Sequence, residues 1–90
     1  MTYVYVLRSK STGRYYVGIT SDPAKRRQQH NLGQSRSTKA YIPWEMSCAV
    51  PYDSREDAAA VEKQLKSSKS RKVIQAFVAR WQSPDASAPG

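Results

Sequence analysis

Tyr16, Gly18, Arg26 and His30 lie in one short stretch of the chain, and their spacing brings them to one place. Arg14–Thr20 reads as a strand, with Tyr16, Gly18 and Thr20 on one face and Tyr15, Val17 and Ile19 on the other. Ser21-Asp22-Pro23 then turns the chain into a helix. Asp22 suits its cap, and Pro23 suits the first helical position, where an N–H would be unpaired in any case. Arg26 and His30, four residues apart, share a face of that helix. Strand end and helix face surround one spot above Gly18, whose missing side chain offers an open floor to the backbone of a ligand. A phenol, a guanidinium and an imidazole around a bare glycine suit a phosphate better than a hydrophobic core.

The elements that must position these groups are few. Thr2–Arg8 reads as a strand without a breaker, Tyr3, Tyr5 and Leu7 facing one way and Val4 and Val6 the other, both faces covered. Ser9–Gly13 is a turn cluster, and so short a connection predicts an antiparallel hairpin with Arg14–Thr20. The helix from Pro23 is expected to stop near Asn31, with Gly33 available for the left-handed stop. Gln34–Ala40 reads as a solvated loop, yet Arg36 and Lys39 beside the Arg26/His30 helix also make it a candidate phosphate-contacting loop. Pro43–Val50 is a third strand bounded by Pro43 and Pro51, with Trp44, Met46, Cys48 and Val50 expected on one face.

The period then changes. Asp53 with Glu56, or Ser54 with Asp57, makes a capping box, and Ala58, Val61 and Leu65 form an apolar helical stripe with Glu62 at its edge. A last helix after Ser68 or Ser70 is expected to turn Val73, Ile74, Phe77, Val78 and Trp81 inward. The order β-β-α-β-α-α predicts an α+β fold, a small three-stranded antiparallel sheet flanked by helices. One domain over residues 1–82 is expected, with a disordered tail over 83–90.

Fifteen Lys and Arg against seven Asp and Glu give a net charge of +8 in 90 residues, which points to a polyanionic partner. The single Cys48 excludes an internal disulfide and a cysteine-cluster zinc site. No apolar run is long enough to span a bilayer, and the N-terminus enters a strand at once instead of a signal sequence, so a cytoplasmic location and no membrane partner are expected.

Tyr3-Val4-Tyr5, Tyr16-Val17-Gly18, Arg26, His30-Asn31 and Glu62, in that order, resemble the GIY-YIG nuclease domain, and the likeness extends over residues 2–78. It is nearest to the small free-standing members. No one of these short motifs is specific; the ordered set is. One departure is that the glycine opening the first family motif is Tyr3 here, while the reactive tyrosine, Tyr5, is present. The resemblance implies an endonuclease-like domain that hydrolyses phosphodiesters in nucleic acid, DNA first, with a divalent metal, Mg²⁺ or Mn²⁺. It places Tyr5, Tyr16, Arg26, His30 and Glu62 in the site, with Glu62 as metal ligand.

The chemistry agrees with that set. Arg26 offers a fixed fork of donors to phosphoryl oxygens. Glu62 suits Mg²⁺, a hard ion that takes one or two protein carboxylates and keeps waters. Tyr5 and Tyr16 are candidates for general base, provided that Arg26 and a metal lower the phenol's ordinary pKa of about 10. His30 is expected to orient a water or bond the phosphate, and Gly18, Arg36 and Lys39 to contact substrate. Each residue also has a plainer role: sheet packing for the tyrosines, a solvated helix face for Arg26, a helix-dipole partner for His30, a surface ion pair for Glu62. Two rival readings are a nucleic-acid-binding module without turnover and an interaction domain of a larger DNA-processing complex.

Overall fold

β1 (Thr2–Ser9) is the middle of the sheet, whose order is β2-β1-β3, antiparallel on both sides. In the computed structural model, which describes residues 1–68 and 70–81, the chain continues through β2 (Tyr15–Thr20), α1 (Pro23–Asn31), one 3₁₀ turn (Lys39–Tyr41), β3 (Trp44–Tyr52), α2 (Arg55–Ser67) and α3 (Arg71–Trp81). These are the three antiparallel strands and three helices expected, in the expected order. The disordered tail expected at 83–90 lies outside the described residues.

A middle strand is covered on both sides, and Val4 to Leu7 are all buried. Val4 and Val6 pack with Val17, Cys48, Ala58, Leu65 and Val78, so α2 and α3 lie on that face. Tyr5 and Leu7 pack with Trp44, partly buried Tyr16, Tyr41 and Met46, and α1 lies on this second face. Each aliphatic side chain buried in the first layer contributes about 1.5–3 kcal/mol.

The third strand departs from the expected single apolar face. Val6 pairs with Cys48 but Leu7 pairs with Met46, which leaves Ser47 as an extra residue, a β-bulge. The bulge reverses the alternation, so Cys48 and Val50 face α2 and α3, whereas Met46 and Trp44 face α1. Pro51 lies inside the strand instead of bounding it, opposite Tyr3; β3 is an edge strand, where a missing N–H is tolerated. In α3, Val78 is buried and Ile74 and Phe77 pack on the core, but Val73 and Trp81 are 42% and 47% exposed, against the expectation of five inward residues. Seven apolar residues in eleven make a band wider than the one buried position, Val78, and its two partly buried neighbours can face onto the core.

Local chemistry sets the helix starts. Asp22 Oδ1 accepts from Lys25 N (3.1 Å) and Ser54 Oγ accepts from Asp57 N (3.1 Å), so of the two candidate boxes the Ser54 one caps α2. After α1, Gly33 has φ +75°, the left-handed stop that glycine adopts freely.

Candidate active site

Tyr5 and Gly18 are opposite one another across the β1–β2 ladder. A Cβ on Gly18 would stand 2.6 Å from Tyr5 Oη and 2.8–2.9 Å from two ring carbons. The floor above Gly18 is therefore not open to a ligand, as the sequence suggested, but filled by the Tyr5 phenol. Glycine is required there so that the ring can lie flat across the neighbouring strand.

The ring's hydroxyl ends at His30. Tyr5 Oη is 3.0 Å from His30 Nε2, and His30 Nδ1 is 2.8 Å from Thr38 Oγ1. The lone hydroxyl proton of Thr38 goes to the Ser35 carbonyl oxygen (3.3 Å), so Thr38 Oγ1 accepts from Nδ1–H. Nε2 is then the acceptor, and Tyr5 O–H donates to it. All three residues are buried, with Tyr5, His30 and Thr38 at most 1% exposed, and Tyr5 is the member of the line that borders partly exposed Tyr16. Burial and the Arg26 charge both push the His30 pKa below its ordinary value, so the imidazole is neutral at pH 7. His30 thus does not orient a solvent water or bond a phosphate directly, as expected from sequence: both ring nitrogens are taken by protein.

The loop that supplies Thr38 is held by side chains that bond its backbone and its neighbours'. Asn31 Nδ2 donates to Trp44 O (3.0 Å) and Trp44 N to Asn31 Oδ1 (2.6 Å), locking the end of α1 to the start of β3. Trp44 Nε1 donates to Thr38 O (3.0 Å), and Ser9 Oγ to Tyr41 O (2.7 Å). Asn31, which accompanies His30 in the family-like motif, is thereby a structural clasp.

Arg26 and Tyr16 lie on the open side of this buried line. Tyr16 is partly exposed, its ring centroid 4.9 Å from His30 and 6.2 Å from Tyr5. Arg26 donates through Nη1 to Gln29 Oε1 (3.1 Å) and has no carboxylate partner among the described residues. A guanidinium with one donor on Gln29, another towards the Tyr5 phenol and no carboxylate keeps its other donors for an anion. The Tyr5 pKa is pushed up to about 12, because burial outweighs the lowering by Arg26, and the Tyr16 phenol raises it further. Of the two charges expected to lower the phenol pKa, Arg26 and a metal, Arg26 by itself does not offset burial. At pH 7 only about one Tyr5 in 10⁵ would be phenolate.

Glu62 reaches this region from the opposite side. α2 packs on the Val4/Val6 face, whereas Tyr5 and Tyr16 are on the α1 face. Lys66 joins them at the β2 edge, its Nζ 3.5 Å from Glu62 Oε2 and 5.5 Å from the Tyr16 ring centroid. Among the described residues no three His, Cys, Asp or Glu converge as a metal cage. A single carboxylate already facing a cation fits Mg²⁺ or Mn²⁺ held mainly by waters and substrate phosphate; it does not fit an ion that needs a full protein shell. Of the loop cations, Lys39 packs its stem near Gly33, and Arg36 is exposed.

The structure therefore brings Tyr5, Tyr16, Arg26 and His30 together over Gly18 and leaves Glu62 at the rim. Thr38 was missed from sequence. Its one signal was position, a threonine in the loop directly after the Arg26/His30 helix, and nothing local distinguishes it from neighbouring Ser35 and Ser37.

The chain resembles known proteins in sequence and in fold. Residues 1–75 match the family model described as the GIY-YIG catalytic domain. A UPF0213 protein of Streptococcus pneumoniae is 37% identical over 68 residues, covering 74% of this chain and 68% of that one. The structure-specific endonuclease subunit SLX1 of Phaeosphaeria nodorum is 46% identical over 52 residues, covering 51% of this chain but only 14% of the longer protein. Among solved structures, the solution NMR structure of a UPF0213 protein from Bacillus halodurans superposes with a TM-score of 0.53 at 30% identity, covering 86% of this chain and 83% of that one. With a family match over most of its length and the fold of a UPF0213 protein, the chain belongs to the GIY-YIG catalytic domain family.

Proposed function

We propose that this domain hydrolyses phosphodiester bonds in nucleic acid, DNA first, with one divalent ion, and that Tyr5, Tyr16, Arg26, His30 and Glu62 carry the reaction. The observation that supports it most is the buried line Tyr5–His30–Thr38 opening beside an arginine without a carboxylate partner.

In this reading Arg26 binds the scissile phosphate through its forked donors and stabilises the charge that builds on the phosphoryl oxygens. Tyr5 works as a relay and not as a free phenolate. Tyr5 is 1% exposed, so the attacking water meets its oxygen only as part of the bound substrate complex; that oxygen takes the water's proton while its own O–H proton passes to His30 Nε2, 3.0 Å away. No phenolate accumulates, so a pKa of about 12 is no obstacle. Thr38 keeps Nδ1 protonated and Nε2 free to accept. Tyr16, partly exposed, flanks the phosphate. Mg²⁺ or Mn²⁺ on Glu62 would supply a Lewis acid for the phosphoryl and leaving oxygens. Arg36 and Lys39 extend the contact along the backbone.

The test is incubation of the purified chain with plasmid and branched DNA, with Mg²⁺, with Mn²⁺ and with chelator, alongside Tyr5→Phe. Nicking that needs the ion and is lost in Tyr5→Phe, with DNA affinity retained, is the expected result. DNA binding without cleavage under every metal condition would leave a binding module as the function.

A further inference from the structure

β2 is an edge strand, and its open side is not bare. A groove of about 640 Å³ runs along it, bounded by the hairpin loop, the 3₁₀ turn and the junction of α2 with α3. Each cation that lines it rests on an aromatic ring. The Arg14 guanidinium is 4.5 Å from the Tyr41 centroid, Lys66 Nζ is 5.5 Å from Tyr16 and the Arg71 guanidinium is 5.5 Å from Tyr15. Arg71 also donates to Gly13 O (3.1 Å), tying α3 to the hairpin loop. No carboxylate is among the lining residues.

Resting on the phosphodiesterase reading, we infer that this groove takes an unpaired strand of the nucleic-acid substrate, next to the phosphate that is cut. Tyr16 belongs both to the groove and to the cluster with Tyr5 and His30, so a strand lying in the groove is continuous with the candidate scissile position. The combination of a cationic track with aromatic faces is the one that binds single strands without sequence preference, since every unpaired base has a face to stack. A duplex presents only phosphates to such a surface and leaves the rings unused. Arg14, Lys66 and Arg71 are exposed, so phosphates draw them off the rings and free the Tyr41 and Tyr15 faces for bases. The volume matches one or two nucleotides, within the usual range for ligand clefts.

The test is fluorescence anisotropy in chelator with three probes of equal phosphate count: a single strand, a blunt duplex, and a duplex with a single-stranded overhang. The proteins are wild type, Arg14→Ala/Arg71→Ala and Tyr41→Leu, each checked by a thermal melt. Wild type should prefer both probes with unpaired nucleotides over the blunt duplex. The double variant should lose about tenfold on those two probes and little on the duplex, with its log–log salt slope shallower by about 0.7 per lost phosphate contact. Tyr41→Leu should weaken the same two probes about fivefold with the salt slope unchanged, which separates stacking from charge and stands in if the double variant misfolds. Equal wild-type affinity for all three probes, or variants that weaken all three alike, overturns the assignment. The two readings fail separately. Preference for unpaired strands without cleavage in any metal removes the nuclease and keeps the groove; cleavage without that preference does the reverse.

Discussion

The two faces of the sheet share β1 and differ in what they bury: one is chiefly aliphatic, the other sets a hydrogen-bonded line among Leu7, Trp44 and Met46. Towards α2 and α3 the strand presents Val4 and Val6 to Val17, Ala58, Leu65 and Val78, an apolar layer whose alternation is that of a half-buried strand. Towards α1 it presents Tyr5 to His30 and Thr38, with Ser9 bonded to the loop at Tyr41. No buried side-chain nitrogen or oxygen among the described residues lacks a partner. A polar layer this dry is tolerated because every group in it is satisfied. One face therefore supplies apolar burial, and the other supplies a hydrogen-bonded geometry that depends on each member.

That division predicts different responses to substitution, and the largest is on the apolar face. Leu65→Ala, at a site 5% exposed, should cost about 2–5 kcal/mol, and each kcal/mol lowers Tm by about 4–8 °C in a domain of this size. Cleavage per folded molecule should be unchanged at a permissive temperature. A melt within a few degrees of wild type would show that this layer is not the stabilising one.

The reverse is expected at Arg26. Arg26→Lys keeps the charge and loses the planar fork, so cleavage should fall about 10²–10³-fold with little change in Tm. Retention of most of the rate would mean that Arg26 only steers substrate.

Gly18→Ala couples the two properties at one atom. Its Cβ would meet Tyr5 Oη at 2.6 Å, and the ring, being 1% exposed, has little room to retreat. A stability loss of about 1–3 kcal/mol is expected together with loss of cleavage, because the ring must leave His30 to make room. A stable, fully active variant would contradict the close contact.

The smallest effect is a pH dependence of folding. His30 is the one histidine, and its folded pKa lies below the ordinary value near 6.5. The unfolded chain then binds the extra proton first, so this contribution is whole above about pH 6.5 and is lost as pH falls from there towards the folded pKa. The loss is at most about 1.4 kcal/mol per pH unit. Urea melts at pH 7.5, 6.5 and 5.5 should show it in wild type but not in His30→Gln; a stability that rises on acidification would reverse the sign of the account.

What the sequence disclosed and what it hid divide along a physical line. α1 was legible to its ends because Asp22, Pro23 and Gly33 act within one turn of the residues they control. Tyr16, Arg26 and His30 were legible as a set because strand and helix periods fix faces, whereas Tyr5 joined them only through the family resemblance. The bulge at Ser47 was not, since it exists only in the pairing of β3 with β1 and no local signal marks it. Thr38 was hidden for a related reason: its burial comes from Trp44 and His30, which reach it from other elements. The role of Gly18 was misread because the space over it is filled from a strand outside its own segment. Glu62 was placed correctly at the edge of its stripe, but which face of the sheet its helix covers is a property of the whole packing.

The central claim is that Tyr5 passes its proton to a neutral His30. The most direct measurement is the single-turnover rate of DNA cleavage from pH 5 to pH 8 for wild type and for His30→Gln, at temperatures where melts show both folded. The wild-type rate should hold above about pH 6.5 and fall towards tenfold per unit once acid protonates Nε2, whereas His30→Gln should be much slower and flat over that range. A His30→Gln protein that cuts at the wild-type rate with the wild-type pH profile would contradict the relay.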